Sequence, residues 1–370
     1  MAELLKNFLS PAFIDEVARL FQEVHPHFPR ETYIELVLAE PWPTLELKPR
    51  FRQMAEALSK TLPPHKEEAI EAVASVADHL VARHGEKLTF EYMFLPEFVA
   101  LFGLEHPEQA LAALERITRW SSAEFAVRPF LIRYPERMYG QMLAWSAHPS
   151  PMVRRLSSEG FRPRLPWGMG IPALKKDPAP ILPVLENLKA DIAETVRRSV
   201  ANNLNDISKD HPALALSIAT RWQGVSAETD WVVKHALRGL LRKGQAEALS
   251  KFGFGQERME DLAATLTLTS ATVTIGDSLT FMASLQNQGD TLRQVRMEYA
   301  IDYLKLSGKT SRKVFFIKAA DMAPGEVVSL KKRQRFTDFT TRKHYPGPHK
   351  LALLANGITV AEVAFEVLRP

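Results

Sequence analysis

Two glutamates, Glu124 and Glu159, stand in a stretch of chain that is otherwise poor in acids. Residues 119–176 hold 10 Lys/Arg against 3 Asp/Glu, whereas residues 1–118 hold 11 against 19. The flanking strings are Trp120-Ser-Ser-Ala-Glu124-Phe-Ala-Val-Arg128 and Pro151-Met-Val-Arg154-Arg155-Leu-Ser-Ser-Glu159-Gly-Phe-Arg162-Pro-Arg164-Leu-Pro-Trp167. Carboxylates in such a setting can stabilise a developing positive charge or orient and deprotonate a water. Guanidinium groups supply charge together with directed N–H donors, which is what phosphate oxygens require. Trp167 follows Pro163-x-x-Pro166 in a loop, where an exposed indole face can attract a cation, an effect of about 0.5–2 kcal/mol.

Each of these residues also has a purely structural reading. Ser121-Ser-Ala-Glu124 has the spacing of a helix capping box, and Glu124 stands four residues before Arg128. Glu159 stands four residues after Arg155, the spacing of an ordinary helix-surface pair. Asp206 can close a helix through a local bond to backbone. Trp120, Trp145, Trp222 and Trp231 fall within helical patterns and read as core.

Other chemistries are excluded by what the chain lacks. It contains no cysteine, so thiolate catalysis, disulfides and thiolate metal sites are absent. There is no phosphate-binding Gly/Lys/Ser pattern, no spaced glycine triplet between a strand and a helix, no Gly-x-Ser-x-Gly and no His-Glu-x-x-His. No metal is expected. No apolar run approaches the roughly 20 residues of a membrane span, and residues 1–10 do not resemble a signal peptide, so a cytoplasmic protein is expected.

The elements that must position these residues fall into two grammars. Up to about residue 250, apolar residues recur at three- and four-residue spacing between Pro, Gly, Ser or Asp punctuation, as from Glu67 to His84. Helices are expected at 107–120, 122–134, 136–147, 151–161, 180–188, 192–207, 212–222 and 229–243. Three of them carry related strings: Val153-Arg154-Arg155-Leu156, Val196-Arg197-Arg198-Ser199 and Val233-Lys234-His235-Ala236. Spacings of 43 and 37 residues lie near the period of HEAT-like two-helix repeats. Stacked in parallel, such repeats would bring Arg154, Arg155, Arg197, Arg198 and Lys234 onto one concave face. After Gly253-Phe-Gly255 the pattern alternates with period two. One strand is expected from Ala264 to Ile275, with six more down to Leu368, the signature of an immunoglobulin-like sandwich. The predicted fold is therefore mainly α: a HEAT-like helical-repeat superhelix, residues 1–255, followed by a C-terminal immunoglobulin-like β-sandwich, residues 256–370.

A second basic zone lies in the β-domain, where residues 303–350 hold 12 Lys/Arg against 3 Asp/Glu. Lys331-Lys332-Arg333 and Arg342-Lys343-His344 belong to it. Such runs protect strand edges from aggregation, or they grip a polyanion.

The string from Val153 to Trp167, the later Val196-Arg197-Arg198-Ser-Val-Ala-Asn202-Asn203-Leu-Asn205-Asp206 and the appended β-domain resemble the AlkC family of bacterial DNA alkylation-repair glycosylases. The second string also resembles the wider HEAT-like glycosylase superfamily that includes AlkD. The resemblance covers the whole chain. It implies hydrolysis of the N-glycosidic bond of cationic N3-methylated bases (3-methyladenine, 3-methylcytosine) in duplex DNA, without full extrusion of the base, by a monomer that needs no cofactor or metal and is nucleoid-associated when on DNA. Glu124, Glu159 and Trp167 are then the catalytic candidates, with Asp206 as a third acid. Arg154, Arg155, Arg162, Arg164, Arg197, Arg198 and Lys234 would hold DNA, joined by Lys331, Lys332 and Arg333. A non-catalytic helical-repeat scaffold and a damage-binding protein are the alternatives.

Overall fold

In the computed structural model residues 5–339 and 343–369 are described; Arg342 lies outside them. The first helices are α1 (Pro11–Val24), α2 (Arg30–Leu38), α3 (Leu47–Thr61), α4 (Lys66–His84), α5 (Phe94–Phe102) and α6 (Pro107–Ile117). Next come α7 (Val127–Arg133), α8 (Pro135–Trp145), α9 (Pro151–Glu159), α10 (Pro172–Lys176) and α11 (Leu182–Leu188). The last are α12 (Glu194–Asp210), α13 (Pro212–Trp222), α14 (Ala227–Ala236), α15 (Arg238–Arg242) and α16 (Ala246–Lys251). Helices α1, α6, α8, α9, α10 and α13 open on proline. The ring presets the helical φ at a position whose N–H has no intrahelical acceptor.

The related strings fall where stacked repeats require them. α9 packs on α12 and α12 on α14, with Val153, Val196 and Val233 fully buried between them. Asn203 of α12 donates its side-chain amide to the Ser158 carbonyl of α9 (2.9 Å). A second device recurs at helix ends. Trp145, the last residue of α8, donates its indole N–H to Glu115 (2.6 Å), and Trp222, the last of α13, donates to Glu186 (2.9 Å). Trp120 is also core, but Trp231 is only half-buried and stacks on His235.

By packing, the chain divides into two compact units at Ala236/Leu237. Helices α15 and α16 join the second unit, so this division precedes the change of periodicity at 255/256, and the strands begin at Leu262. They are β1 (Leu262–Leu268), β2 (Thr272–Thr274), β3 (Ser278–Asn287), β4 (Arg293–Leu304), β5 (Thr310–Met322), β6 (Val327–Arg335), β7 (Gly347–Ala355) and β8 (Ile358–Leu368). Two sheets, β1-β3-β6 and β2-β8-β7-β4-β5, make the sandwich. Phe281, Leu285, Val295, Ile301, Leu351, Leu353 and Val367 are among its core residues.

The single strand expected over 264–275 is two strands in different sheets, β1 antiparallel to β3 and β2 parallel to β8. Leu262, Ala264, Leu266 and Leu268 fall at even positions and Ala271, Val273 and Ile275 at odd ones, so the alternation changes phase across Thr269-Ser270, where the chain crosses; Ser270 Oγ accepts there from the Thr272 N–H (3.2 Å).

If the tryptophan–glutamate bonds tie neighbouring helices, Trp222→Phe should keep the ring buried and lose about 1 kcal/mol of stability. Urea unfolding of the variant measures this, and an unchanged midpoint would show the bond to be idle.

Candidate active site

A cavity of about 400 Å³ opens in the helical unit, and its walls include Phe90, Met93, Glu124, Phe125, Arg155, Glu159, Arg162 and Trp167. Glu124, Glu159, Trp167, Arg155 and Arg162, chosen from residue chemistry and family resemblance, therefore share one space.

Glu124 sits in the turn before α7 rather than on a helix. The capping box does not form: α7 has no side-chain cap, and Ser122 Oγ donates to Glu124 Oε2 (2.7 Å). The i,i+4 partner Arg128 is also not its partner. Arg155 of α9 lies at 2.9 Å from Glu124 Oε2 and donates to Ser122 Oγ (3.0 Å).

Glu159, the last residue of α9, does not pair with Arg155 either. Arg162 donates from Nη1 to Glu159 Oε1 (2.7 Å) and from Nε to Asp206 Oδ2 (2.8 Å). All three side chains are almost wholly buried. Burial opposes the charge on Arg162, but the fields of Glu159 and Asp206 overcome it and hold its pKa above the ordinary value. Lys209 adds a contact to Asp206 Oδ1 (2.7 Å). Asp206, expected as a third acid at the reacting centre, stands behind Arg162 and outside the cavity wall, where it orients that guanidinium. Among the described residues, the hydrogen bonds and ion pairs of Glu124 engage Oε2 and those of Glu159 engage Oε1. Each carboxylate keeps a second oxygen for a ligand.

Trp167 is 65% exposed and has φ of +63°. For a bulky residue this left-handed backbone is unfavourable by about 1–3 kcal/mol and must be held by its surroundings. Arg128, fully buried, supplies much of the hold: it donates to the carbonyls of Met169 (2.5 Å), Gly160 (2.9 Å) and Arg162 (2.9 Å). Burial lowers its pKa to about 10, leaving a cation at neutral pH. The site list drawn from sequence omitted Arg128, because nothing in a helical string distinguishes an arginine that turns inward.

Of the five cations expected on one face, four are tied to partners within the protein: Arg155 to Glu124, and Arg154, Arg197 and Arg198 to groups near their own helices. Arg154 is held by Asp191 (2.5 and 3.0 Å) and donates to the carbonyls of His148 and Pro149. Arg197, its repeat equivalent, donates to the carbonyls of Asp191 and Ile192. Both arginines bind the loop before their own helix, whose orphan carbonyls need donors. Arg198 pairs along its helix with Glu194 and lies over the Trp231 ring, and Arg164 pairs with Asp210 through two bonds (3.0 and 2.6 Å). Lys234 is exposed on α14. Lys331, Lys332 and Arg333 are exposed on β6, an edge strand of the three-stranded sheet. Among the described residues no cluster of three or more His, Asp or Glu is arranged to hold a metal ion, and no helix is long and apolar enough to cross a membrane.

The architecture defines a class: a helical-repeat unit whose repeat junction carries paired carboxylates, followed by an immunoglobulin-like domain. Residues 262–369 match the family described as the C-terminal Ig-like domain of uncharacterised protein YhaZ. Over 363 residues the chain is 42% identical to the uncharacterized protein YhaZ of Bacillus subtilis, covering 98% of this chain and 99% of that one. It superposes with a TM-score of 0.92 and 33% identity on the Pseudomonas fluorescens alkylpurine DNA glycosylase AlkC bound to DNA containing an abasic site analog, covering 99% of this chain and all of that one. The chain belongs to the AlkC family.

Because Arg154 closes a loop, Arg154→Gln should lower stability by about 1–3 kcal/mol, the scale of a lost buried charge-assisted bond, while leaving affinity for a DNA duplex unchanged. Thermal unfolding and fluorescence anisotropy separate the two effects, and weakened binding at full stability would return Arg154 to the phosphate contacts.

Proposed function

We propose that this protein is a monofunctional DNA glycosylase that releases cationic N3-methylated bases, 3-methyladenine and 3-methylcytosine, from duplex DNA. The observation that carries the reading is the convergence of Glu124, Glu159 and an exposed indole in one cavity with Arg155 and Arg162. Likeness over nearly the whole chain to a glycosylase bound to DNA supports it.

Methylation at N3 gives the base a positive charge, so it departs with the bonding electron pair as a neutral molecule and needs no strong general acid. The sugar is left as an oxocarbenium-like centre at C1′. An unengaged oxygen of Glu159 or Glu124 beside C1′ stabilises that charge, and the same two carboxylates orient a water whose oxygen bonds to C1′ as one of them takes its proton. The face of Trp167 attracts the cationic base or sugar. Arg162, pinned between Glu159 and Asp206, holds Glu159 in place. Arg155 does the same for Glu124 and anchors phosphate. The exposed β6 cations track the polyanion as an accessory surface, and the enzyme works as a monomer without metal or cofactor, the lesioned nucleotide remaining largely in the helix.

Glu159→Gln should slow single-turnover base release from methylated duplex by about 10²–10³-fold, the scale of removing one preorganised electrostatic partner. Binding to an abasic-analogue duplex should change little. Chromatography of released bases decides it, and wild-type release by both Glu159→Gln and Glu124→Gln would remove the glutamates from the mechanism. A wild-type protein that binds methylated duplex but releases no base would be a damage-binding protein instead.

Replacing Lys331, Lys332 and Arg333 together by Gln should make the fall of log affinity with log salt shallower by about 2.7 if all three cations touch phosphates, since each contact contributes about 0.9 to the slope. An unchanged slope would mean that they only protect the edge of the sheet.

A further inference from the structure

Trp167 is held from two sides. Below it, Arg128 binds the loop through the Met169, Gly160 and Arg162 carbonyls. Across from it, Lys48 donates its ammonium to the Trp167 carbonyl, a partner 119 residues away. The same ammonium lies 4.4 Å from the centre of the Phe125 ring, one residue after Glu124. Lys48, Phe125 and Trp167 line a small cavity of about 90 Å³ beside the larger one.

Lys48 belongs to the first turn of α3 (Leu47–Thr61), which contains no acidic residue. A cation there opposes the helix dipole, so helix stability does not account for it. Its partners do. One is the backbone of a residue with positive φ, which needs an external tie; the other is an aromatic face in the turn that carries Glu124.

We infer that Lys48 is a positioning residue for base release: from the N-terminal helices it fixes the pose of the Trp167 indole against the turn holding Glu124. The catalytic consequence rests on the function proposed above; the effect on the pose does not.

The test uses the full chain labelled with 5-fluorotryptophan, in which the Trp167 fluorine resonance is assigned by its loss in Trp167→Phe. In Lys48→Met the Trp167 resonance should shift or broaden while those of the other tryptophans stay in place. Base release from methylated duplex should slow roughly tenfold, as expected when a reacting-centre contact is misplaced, with affinity for an abasic-analogue duplex within about twofold. Lys48→Arg should restore both readouts. In the Trp167→Ala background, Lys48→Met should cost nothing further in rate. A Trp167 resonance unmoved by Lys48→Met overturns the inference, as does a rate loss that persists in full on Trp167→Ala or a defect confined to duplex affinity. Should the wild-type protein release no base, the proposed function fails, while the fluorine spectrum still decides the role of Lys48.

Discussion

A guanidinium buried between two carboxylates governs the site. Arg162 is charged and almost inaccessible to water, a state tolerable only because Glu159 and Asp206 meet it at hydrogen-bond distance. Charges alternate from Glu159 through Arg162 and Asp206 to Lys209. Removing Arg162 would leave Glu159 without its partner in a poorly hydrated place, which is a stronger constraint than the net gain from forming the chain. Glu159 closes α9 and Asp206 lies on α12, so the distance between these helices fixes where the Glu159 carboxylate points. Val153, Val196 and the Asn203–Ser158 bond set that distance. The repeat packing is thereby written into the geometry of the acid.

Arg128 solves a different problem with the same group. Its hydrogen bonds go to three carbonyl oxygens, so it satisfies the inner side of a non-helical loop whose outer residues are exposed. Without such a donor the carbonyls that face inward would be unpaired. The result is a loop rigid enough to present Trp167 in an unfavourable backbone conformation with most of its indole in solvent. Rigidity beneath and exposure above are what a surface that must meet a ligand ring requires.

The helices and the sandwich were legible because local rules decide them: proline at first turns, three- and four-residue apolar spacing, then period-two alternation. Strands β1 and β2 read as one because each alternates with period two; only the change of phase between Leu268 and Ala271 marks the crossing between sheets. Glu124, Glu159, Trp167, Arg155 and Arg162, named as candidates from the sequence, line one cavity, but their pairs differ from those that spacing offers. Glu124 with Arg128, and Arg155 with Glu159, are the pairs that i,i+4 spacing suggests. The molecule forms Glu124 with Arg155 and Glu159 with Arg162. The first needs α9 to reach the turn before α7, an event with no signature in local spacing; the second joins residues three apart, a spacing that competes with i,i+4. Asp206 was grouped with the acids at the reacting centre on family resemblance; its bond to Arg162, across 44 residues of sequence, is visible only in the packed helices.

The two Val-Arg-Arg strings show how a repeat array makes a single site from recurring parts. The first arginine of each, Arg154 and Arg197, binds carbonyls five and six residues before it. That is a structural duty that every repeat with this loop shares. The second arginines diverge. Arg198 lies on the surface with Glu194, whereas Arg155 faces Glu124 inside the cavity. The difference lies outside the string. Only after α9 does the chain bend back as the Pro163–Gly170 loop, anchored on Arg128, to place Trp167 on the wall that Arg155 shares. Chemistry thus arises where one repeat is interrupted, and the undisturbed repeats on either side hold that interruption still.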